Sequence, residues 1–186
     1  MHTAAASSLG KMLVKMCLKS NLELINIVRR EDQAETLKKL GAKHVLNQND
    51  PDFVEKLSEL TNKLGITVCF DAISGPITGK LLAGMPSNST VYVYGVLDPS
   101  LVSGISQHDL LFKGKKLHGF WMATADIFKP EEFQKALKTI IDDVKSGSDI
   151  FKPKIVKRLK LEECSHHLIE HGKHPTEGKT IILPNA

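Results

Sequence analysis

The sequence predicts an α/β fold: a doubly wound, mostly parallel Rossmann sheet with its first strand largely missing, plus a C-terminal strand–helix–strand appendage. Three observations carry this. Short β-rich runs alternate with segments of helical spacing along most of the chain. The strand runs are continuously apolar, as in parallel sheets covered on both faces. The chain also opens on small residues, Ala4 to Ser8 and then Gly10, which lead into apolar positions at helical spacing (Leu9, Leu13, Met16, Cys17). The first turn of a Rossmann unit has this form, because small side chains let the backbone approach a pyrophosphate at a helix N-terminus. Only Met1, His2 and Thr3 precede that turn.

The elements follow in order. A helix is predicted from Leu9 to Ser20 and a strand from Leu22 to Val28. Glu31 to Leu40 has helical spacing and stops at Gly41, a favourable residue just past a helix end. Lys43 to Leu46 is a short strand. Asn49-Asp50-Pro51-Asp52 starts the next helix, with Asp50 as candidate cap and Pro51 at the first helical position, and Gly65 closes it. Thr67 to Phe70 and Thr90 to Tyr94 are strands flanking a helix from Ile77 to Met85. Ser106 to Phe112 is a short helix, Lys116 to Trp121 a strand, and Pro130 to Ser146 a helix with Phe133, Leu137, Ile140, Ile141 and Val144 on one stripe. After Ser146-Gly147-Ser148-Asp149 come a strand (Ile155 to Leu159), a helix (Leu161 to Gly172) and a strand (Thr180 to Leu183). Right-handed crossovers between successive strands give the doubly wound sheet. Residues 1–148 are read as the nucleotide-binding domain and residues 149–186 as a separate segment. The slot of the first strand is expected to stay open, or to be filled by Thr180 to Leu183 or by a strand of a second chain.

The 186 residues suffice for one domain plus an appendage, and 41% apolar with 25% charged is the balance of a globular protein. The net charge of +4 is spread among interleaved acids. That disfavours nucleic-acid binding and suits an anionic small ligand. No apolar run is long enough to span a bilayer, and no secretory signal is visible. Cys17, Cys69 and Cys164 are scattered, which fits free thiols in a reducing compartment, cytoplasmic or mitochondrial.

Three places carry chemistry. In the opening turn, Ser7 and Ser8 stand where a glycine-rich loop would have glycines, and their hydroxyls and N–H groups can donate to phosphate. The same residues also read as a plain capped helix, with Ser7 or Ser8 at the cap. At the end of the Leu22 to Val28 strand, Arg29-Arg30 stand where a ribose 2′-phosphate is bound, and guanidinium pairs with phosphate bidentately. Glu31 follows, so a 2′-hydroxyl contact stays open, as does a solvated basic helix start. The strand ends Phe70-Asp71-Ala72-Ile73-Ser74-Gly75 and Tyr92-Val93-Tyr94-Gly95 lie where open α/β sheets bind ligands. Asp71 reads as a turn or capping residue. His167 and His171 have i, i+4 spacing, but beside His166 and His174 they read as a solvated helix face, and no metal site is assigned. Trp121 either packs in the core or lines a substrate pocket. No catalytic residue is assigned.

The order of the motifs resembles a known family. His-Thr-Ala-Ala-Ala-Ser-Ser-Leu-Gly-Lys-Met, Ile-Asn-Ile-Val-Arg-Arg-Glu-Asp-Gln and Leu-Lys-Lys-Leu-Gly-Ala-Lys-His-Val-Leu-Asn are followed by Phe-Asp-Ala-Ile-Ser-Gly, Val-Tyr-Val-Tyr-Gly and Gly-Phe-Trp-Met. Lys-Leu-Glu-Glu-Cys and Glu-Gly-Lys-Thr-Ile-Ile-Leu close the chain. With these the sequence resembles the medium-chain dehydrogenase/reductase superfamily, in its zinc-independent quinone oxidoreductase and mitochondrial trans-2-enoyl-CoA reductase branch. The resemblance implies an NADPH-dependent reductase that transfers hydride to a 2-enoyl thioester, an enone or a quinone. Ala6, Ser7, Ser8, Leu9 and Gly10 would cradle the pyrophosphate of NADP, and Arg29 and Arg30 would hold its 2′-phosphate. Ile73, Tyr94, Gly95, Phe120, Trp121 and Met122 would line the nicotinamide side. It also implies a homodimer through the edge strand 116–121. The family's N-terminal GroES-like catalytic domain has no counterpart in these residues, and 149–186 match the segment that returns to it. The chain is therefore expected to be inactive alone. Two other readings are a non-catalytic nucleotide-binding or dimerisation module on the same fold, and a methyltransferase-like domain. The latter would want an acid where Arg29-Arg30 stand.

Overall fold

A computed structural model describes residues 1–122, 130–165, 167 and 176–184. The strands are β1 (Ile25–Val28), β2 (His44–Asn47), β3 (Val68–Asp71), β4 (Thr90–Val93) and β5 (Lys116–Gly119), followed by β6 (Ile155–Lys160) and β7 (Lys179–Leu183). The helices are α1 (Ser8–Lys19), α2 (Glu31–Lys39), α3 (Phe53–Leu64), α4 (Pro76–Ala83), α5 (Gln107–Leu111) and α6 (Pro130–Lys145).

The slot of the first strand is filled by Met1, His2 and Thr3. On one side His2 N–H donates to Ile25 O (3.1 Å) and Ile27 N–H to His2 O (3.0 Å). On the other, Thr3 N–H donates to Phe70 O and Phe70 N–H to Met1 O, both at 3.0 Å. His2 thus bridges Asn26 and Phe70 in parallel, and the strand order becomes β2–β1–(Met1–Thr3)–β3–β4–β5. The expectation of an open slot, or of a filler from Thr180 to Leu183, is corrected: β7 pairs in parallel with β6 in a separate two-stranded sheet. Three residues satisfy both neighbours because a central strand offers N–H and C=O groups to each side, and an empty slot would orphan those groups on β1 and β3.

Two cores cover the sheet. Ile25, Ile27, Cys69 and Val91 pack with Phe53 and Leu57 of α3 and Leu81 and Leu82 of α4. Val28 packs on the opposite side with Ala5 and Ala6, Val14 of α1, and Ala34 and Leu37 of α2. β1 is buried on both faces as its apolar run predicts. β3 alternates between exposed and buried, so burial on both faces does not extend to it. Its outward Phe70 stacks on Tyr92 of β4 (5.8 Å between ring centres), and Tyr92 meets His118 of β5 edge-on (5.4 Å). This ladder follows the pairing register, Phe70 opposite Tyr92 opposite His118.

Element bounds shift for local reasons. α1 ends before Asn21, which takes a left-handed φ of 51° and delays the strand to Ile25. Asp50 does not cap α3: Asp50 to Asp52 form a turn in which Phe53 N–H donates to Asp50 O, and Asp52 takes the cap position without a side-chain bond. β5 stops at Gly119, leaving Trp121 beyond it and 70% exposed, which removes the core-packing reading. A single 3-10 turn (Leu161–Glu163) opens the last helical segment; His166, His171 and His174 lie outside the described residues. Among the described residues no helix is long and apolar enough to cross a membrane.

Candidate functional site

The opening turn sits where the Met1–Thr3 segment leaves the sheet. Ala4 takes a positive φ of 48°, which turns the chain sharply, and Ala5 N–H anchors the turn to Ile27 O (3.2 Å). Ser7, not Ser8, is the cap: its Oγ accepts Gly10 N–H at 3.0 Å. The first N–H groups of any helix lack an intrahelical acceptor. With Gly10 N–H taken by Ser7, those of Ser8 and Leu9 are left for an outside acceptor at the positive end of α1. Gly10 itself faces inward. A Cβ there would lie 2.6 Å from Ala5 C and 2.8 Å from Ala4 O, so glycine lets α1 dock on its own turn. That is the close-packing role of the last glycine in a dinucleotide fingerprint.

Arg29 and Arg30 follow β1 but are not equivalent. The Arg30 guanidinium grips Asp32 with two bonds, 2.9 Å and 3.1 Å, and that carboxylate raises its pKa further. Arg29 is exposed and forms no ion pair among the described residues; its backbone is pinned by Gln33 Oε1 (3.2 Å) and by Asn49 Nδ2 (2.8 Å). The open guanidinium at this strand end is therefore that of Arg29.

At the other strand ends, Asp71 organises the wall. It is fully buried. Its Oδ1 accepts from Thr3 Oγ1 (2.8 Å), Ile73 N–H (2.9 Å) and Ser74 N–H (3.3 Å), and its Oδ2 from Thr78 Oγ1 (2.7 Å). Thr3 Oγ1 in turn accepts Ala72 N–H at 2.8 Å. The loop so held carries two left-handed residues, Ser74 (φ 67°) and Gly75 (φ 72°). Gly95 packs on it, since a Cβ would lie 2.6 Å from Ala72 O. Tyr94 borders the same wall; burial, with Asp71 nearby, raises its phenol pKa and keeps it neutral. Trp121 and Met122 are exposed beyond β5, and Phe120 N–H donates to Val93 O (2.7 Å).

Two buried groups stabilise the frame. His2 is held neutral, its pKa lowered to about 4 by burial against the pull of Asn26 and with the nearby N-terminal charge adding to the lowering. Asn26 Nδ2 donates to Leu24 O and His44 O, so its Oδ1 accepts from His2 Nε2 at 2.7 Å. Lys115 Nζ is sealed under the C-terminal end of α4, donating to Leu82 O (2.7 Å) and Ala83 O (3.2 Å) and pairing with Asp109 (3.3 Å). A cation there complements the helix dipole.

One cleft has a volume of about 830 Å³. It runs between α1, α2 and the C-terminal segment, lined by Ala6, Ser8, Lys11, Thr36, Lys154 and Gly178 among others. Lys11 crosses it to Thr176 O (2.7 Å), and burial with Lys154 nearby lowers its pKa. Lys15 pairs with Asp149 at 2.7 Å, tying the same segment to α1. Of the predicted residues only Ala6 and Ser8 reach this cleft.

The turn and Arg29 therefore line one end of the strand-end surface, and Ile73, Tyr94 and Gly95 the other. Sequence reasoning missed Thr3, Thr78 and Lys115. An acid at a strand end followed by Ser-Gly-Pro and a Thr seven residues on is a recoverable signal for the Asp71 knot; nothing in the sequence sets Lys115 apart from Lys113 or Lys116. Among the described residues no three His, Cys, Asp or Glu side chains come together to hold a metal ion.

The profile of a family described as zinc-binding dehydrogenase matches residues 8–142. The 2-haloacrylate reductase of a Burkholderia species is 27% identical over 98% of the chain and 54% of its own length. The mitochondrial enoyl-acyl-carrier-protein reductase of Caenorhabditis elegans is 30% identical over 87% of the chain and 46% of its own. The chain thus spans about half the length of these curated relatives. Among solved structures, a 2-haloacrylate reductase superposes with a TM-score of 0.81 at 25% identity, covering 100% of the chain and 57% of that protein. A mitochondrial 2-enoyl thioester reductase heterodimer of Candida tropicalis shares the fold at a TM-score of 0.76, 20% identity, 97% of the chain and 52% of its own length.

Proposed function

The chain belongs to the zinc-binding dehydrogenase family, and from that premise we propose that it is the NADPH-binding part of a reductase. The acceptor is a conjugated one: a 2-enoyl thioester, an enone or a quinone. The observation that carries this reading is the pairing of a helix N-terminus freed for an anion with an unengaged guanidinium, Arg29, at the end of the neighbouring strand.

The residues fit the cofactor. Ser8 and Leu9 N–H groups would take the pyrophosphate, with Ala6, Ser7 and Gly10 keeping the turn tight. Arg29 would take the 2′-phosphate, with Arg30 steered by Asp32 beside it. Ile73, Tyr94, Gly95, Phe120, Trp121 and Met122 would bound the nicotinamide, which supplies the hydride when bound. The exposed rings of Trp121 and Tyr94 exclude water from that end once a ligand covers them. The zinc of the family's name finds no fitting donor set among the described residues, and no step runs through it.

Residues 149–186 are read as the segment that joins a GroES-like catalytic domain in the longer relatives. On that reading residues 1–186 bind NADPH without turnover. The outer edge of β5, unpaired among the described residues and exposed along its whole length, is proposed to pair with a second copy. The scattered free thiols suit a cytoplasmic or mitochondrial setting.

Calorimetric titration of NADPH and NADH tests the reading. NADPH is expected to bind about tenfold or more tightly than NADH, and Arg29→Ala to erase that preference while sparing NADH. Equal affinity for the two cofactors refutes the 2′-phosphate role. Binding of neither favours the alternative of a structural or dimerisation module.

A further inference from the structure

We propose that Asp71 is a positioning residue of the cofactor site: its carboxylate locks the nicotinamide-side wall in register with the pyrophosphate turn. The proposal rests on the NADPH reading above.

Asp71 ties three segments to one buried group. Thr3 stands immediately before Ala4, the residue whose left-handed φ makes the pyrophosphate turn. Ile73 and Ser74 belong to the wall, and Thr78 to the first turns of α4. The Thr3 hydroxyl completes a closed circuit, donating to Asp71 and accepting from Ala72 N–H. The turn and the wall are therefore one hydrogen-bonded body, joined through two side chains.

The charge balance argues for more than packing. A fully buried carboxylate is costly, and here no cation pairs with it among the described residues. Four neutral donors compensate it instead. Filling the space alone would be served as well by an apolar side chain. What a carboxylate adds is directional, charge-strengthened hold on N–H groups. It exerts that hold on the one strained stretch of the wall, where non-glycine Ser74 sits at φ 67°. Strain of this kind persists only when its surroundings over-determine it, and it gathers at ligand sites. The wall is fixed from its other side as well, by Tyr94 N–H on Asp71 O (2.9 Å) and by the contact of Gly95 with Ala72 O.

The test compares two ligands: NADPH and adenosine 2′,5′-bisphosphate, which shares the 2′-phosphate half of NADPH and ends before the nicotinamide. Asp71→Asn keeps the shape. The remaining oxygen can still serve Thr3, Ile73 and Ser74, while the new amide faces Thr78 Oγ1, which can rotate to accept. The expected result is about tenfold weaker NADPH binding with the bisphosphate changed less than about twofold. Thr3→Val cuts the circuit without touching the wall's bonds to Asp71 and is expected to show the same selective loss. If Asp71→Asn fails to fold by circular dichroism, Thr3→Val and Thr78→Val decide the matter alone. Equal weakening of both ligands, or of neither, in folded variants overturns the positioning role. If the unsubstituted chain binds neither ligand, the cofactor reading itself falls and this proposal falls with it.

Discussion

Gly10→Ala is a sharp probe of the frame, because the structure fixes the size of the insult. The added methyl would lie 2.6 Å from Ala5 C and 2.8 Å from Ala4 O, and both obstacles are backbone. The Ala5 carbonyl oxygen lies closer still, and ordinary contact needs roughly 3.5 Å, so α1 must back away from its turn by about 1 Å or more. Overpacking of this kind costs about 1–3 kcal/mol. For a chain of this length that lowers the melting temperature by about 2–12 °C. The same displacement carries Ser8 and Leu9 N–H off the narrow distance window of a hydrogen bond to phosphate, and NADPH affinity is expected to fall about 10- to 100-fold. Differential scanning fluorimetry and calorimetric titration give the two numbers. Gly119→Ala is the control: a Cβ there meets nothing within 4 Å, so its stability should stay within about 0.5 kcal/mol. If Gly10→Ala melts with the unsubstituted chain and binds NADPH equally well, the docking of α1 on its own turn is not what shapes the site.

Three further outcomes are expected. Lys115→Met leaves Asp109 with Lys113 (2.9 Å) alone among the described residues and removes the cation from the α4 carbonyls, and should cost about 3 kcal/mol in urea unfolding; an unchanged midpoint refutes the role. His2 has a folded pKa near 4 against 6.5 unfolded, so its contribution is present above pH 6.5 and lost as pH falls toward 4. The stability measured by urea should therefore drop by about 2 kcal/mol between pH 7 and pH 5, and His2→Asn should flatten that slope. Sedimentation equilibrium should find a dimer that Leu117→Lys, on the exposed β5 strand, dissociates; a monomer at all concentrations removes the edge-pairing proposal.

The sequence by itself determined the alternation of elements, the small-residue turn and the arginines after β1. These are local: apolar periodicity, a helix cap and a strand end each depend on residues a few positions apart. Ser7 caps α1 and Arg29-Arg30 follow β1 because nearby chemistry dictates it. Tertiary structure alone decided the rest. Met1 to Thr3 look too short to be a strand, and become the centre of the sheet only because β1 and β3 offer unpaired groups on both sides. Asp71 reads locally as a turn residue; its partner Thr3 lies 68 positions away, and only folding brings that hydroxyl to the carboxylate. Long-range hydrogen bonds of this kind have no periodic signature, because they record which strands become neighbours rather than which residues follow one another.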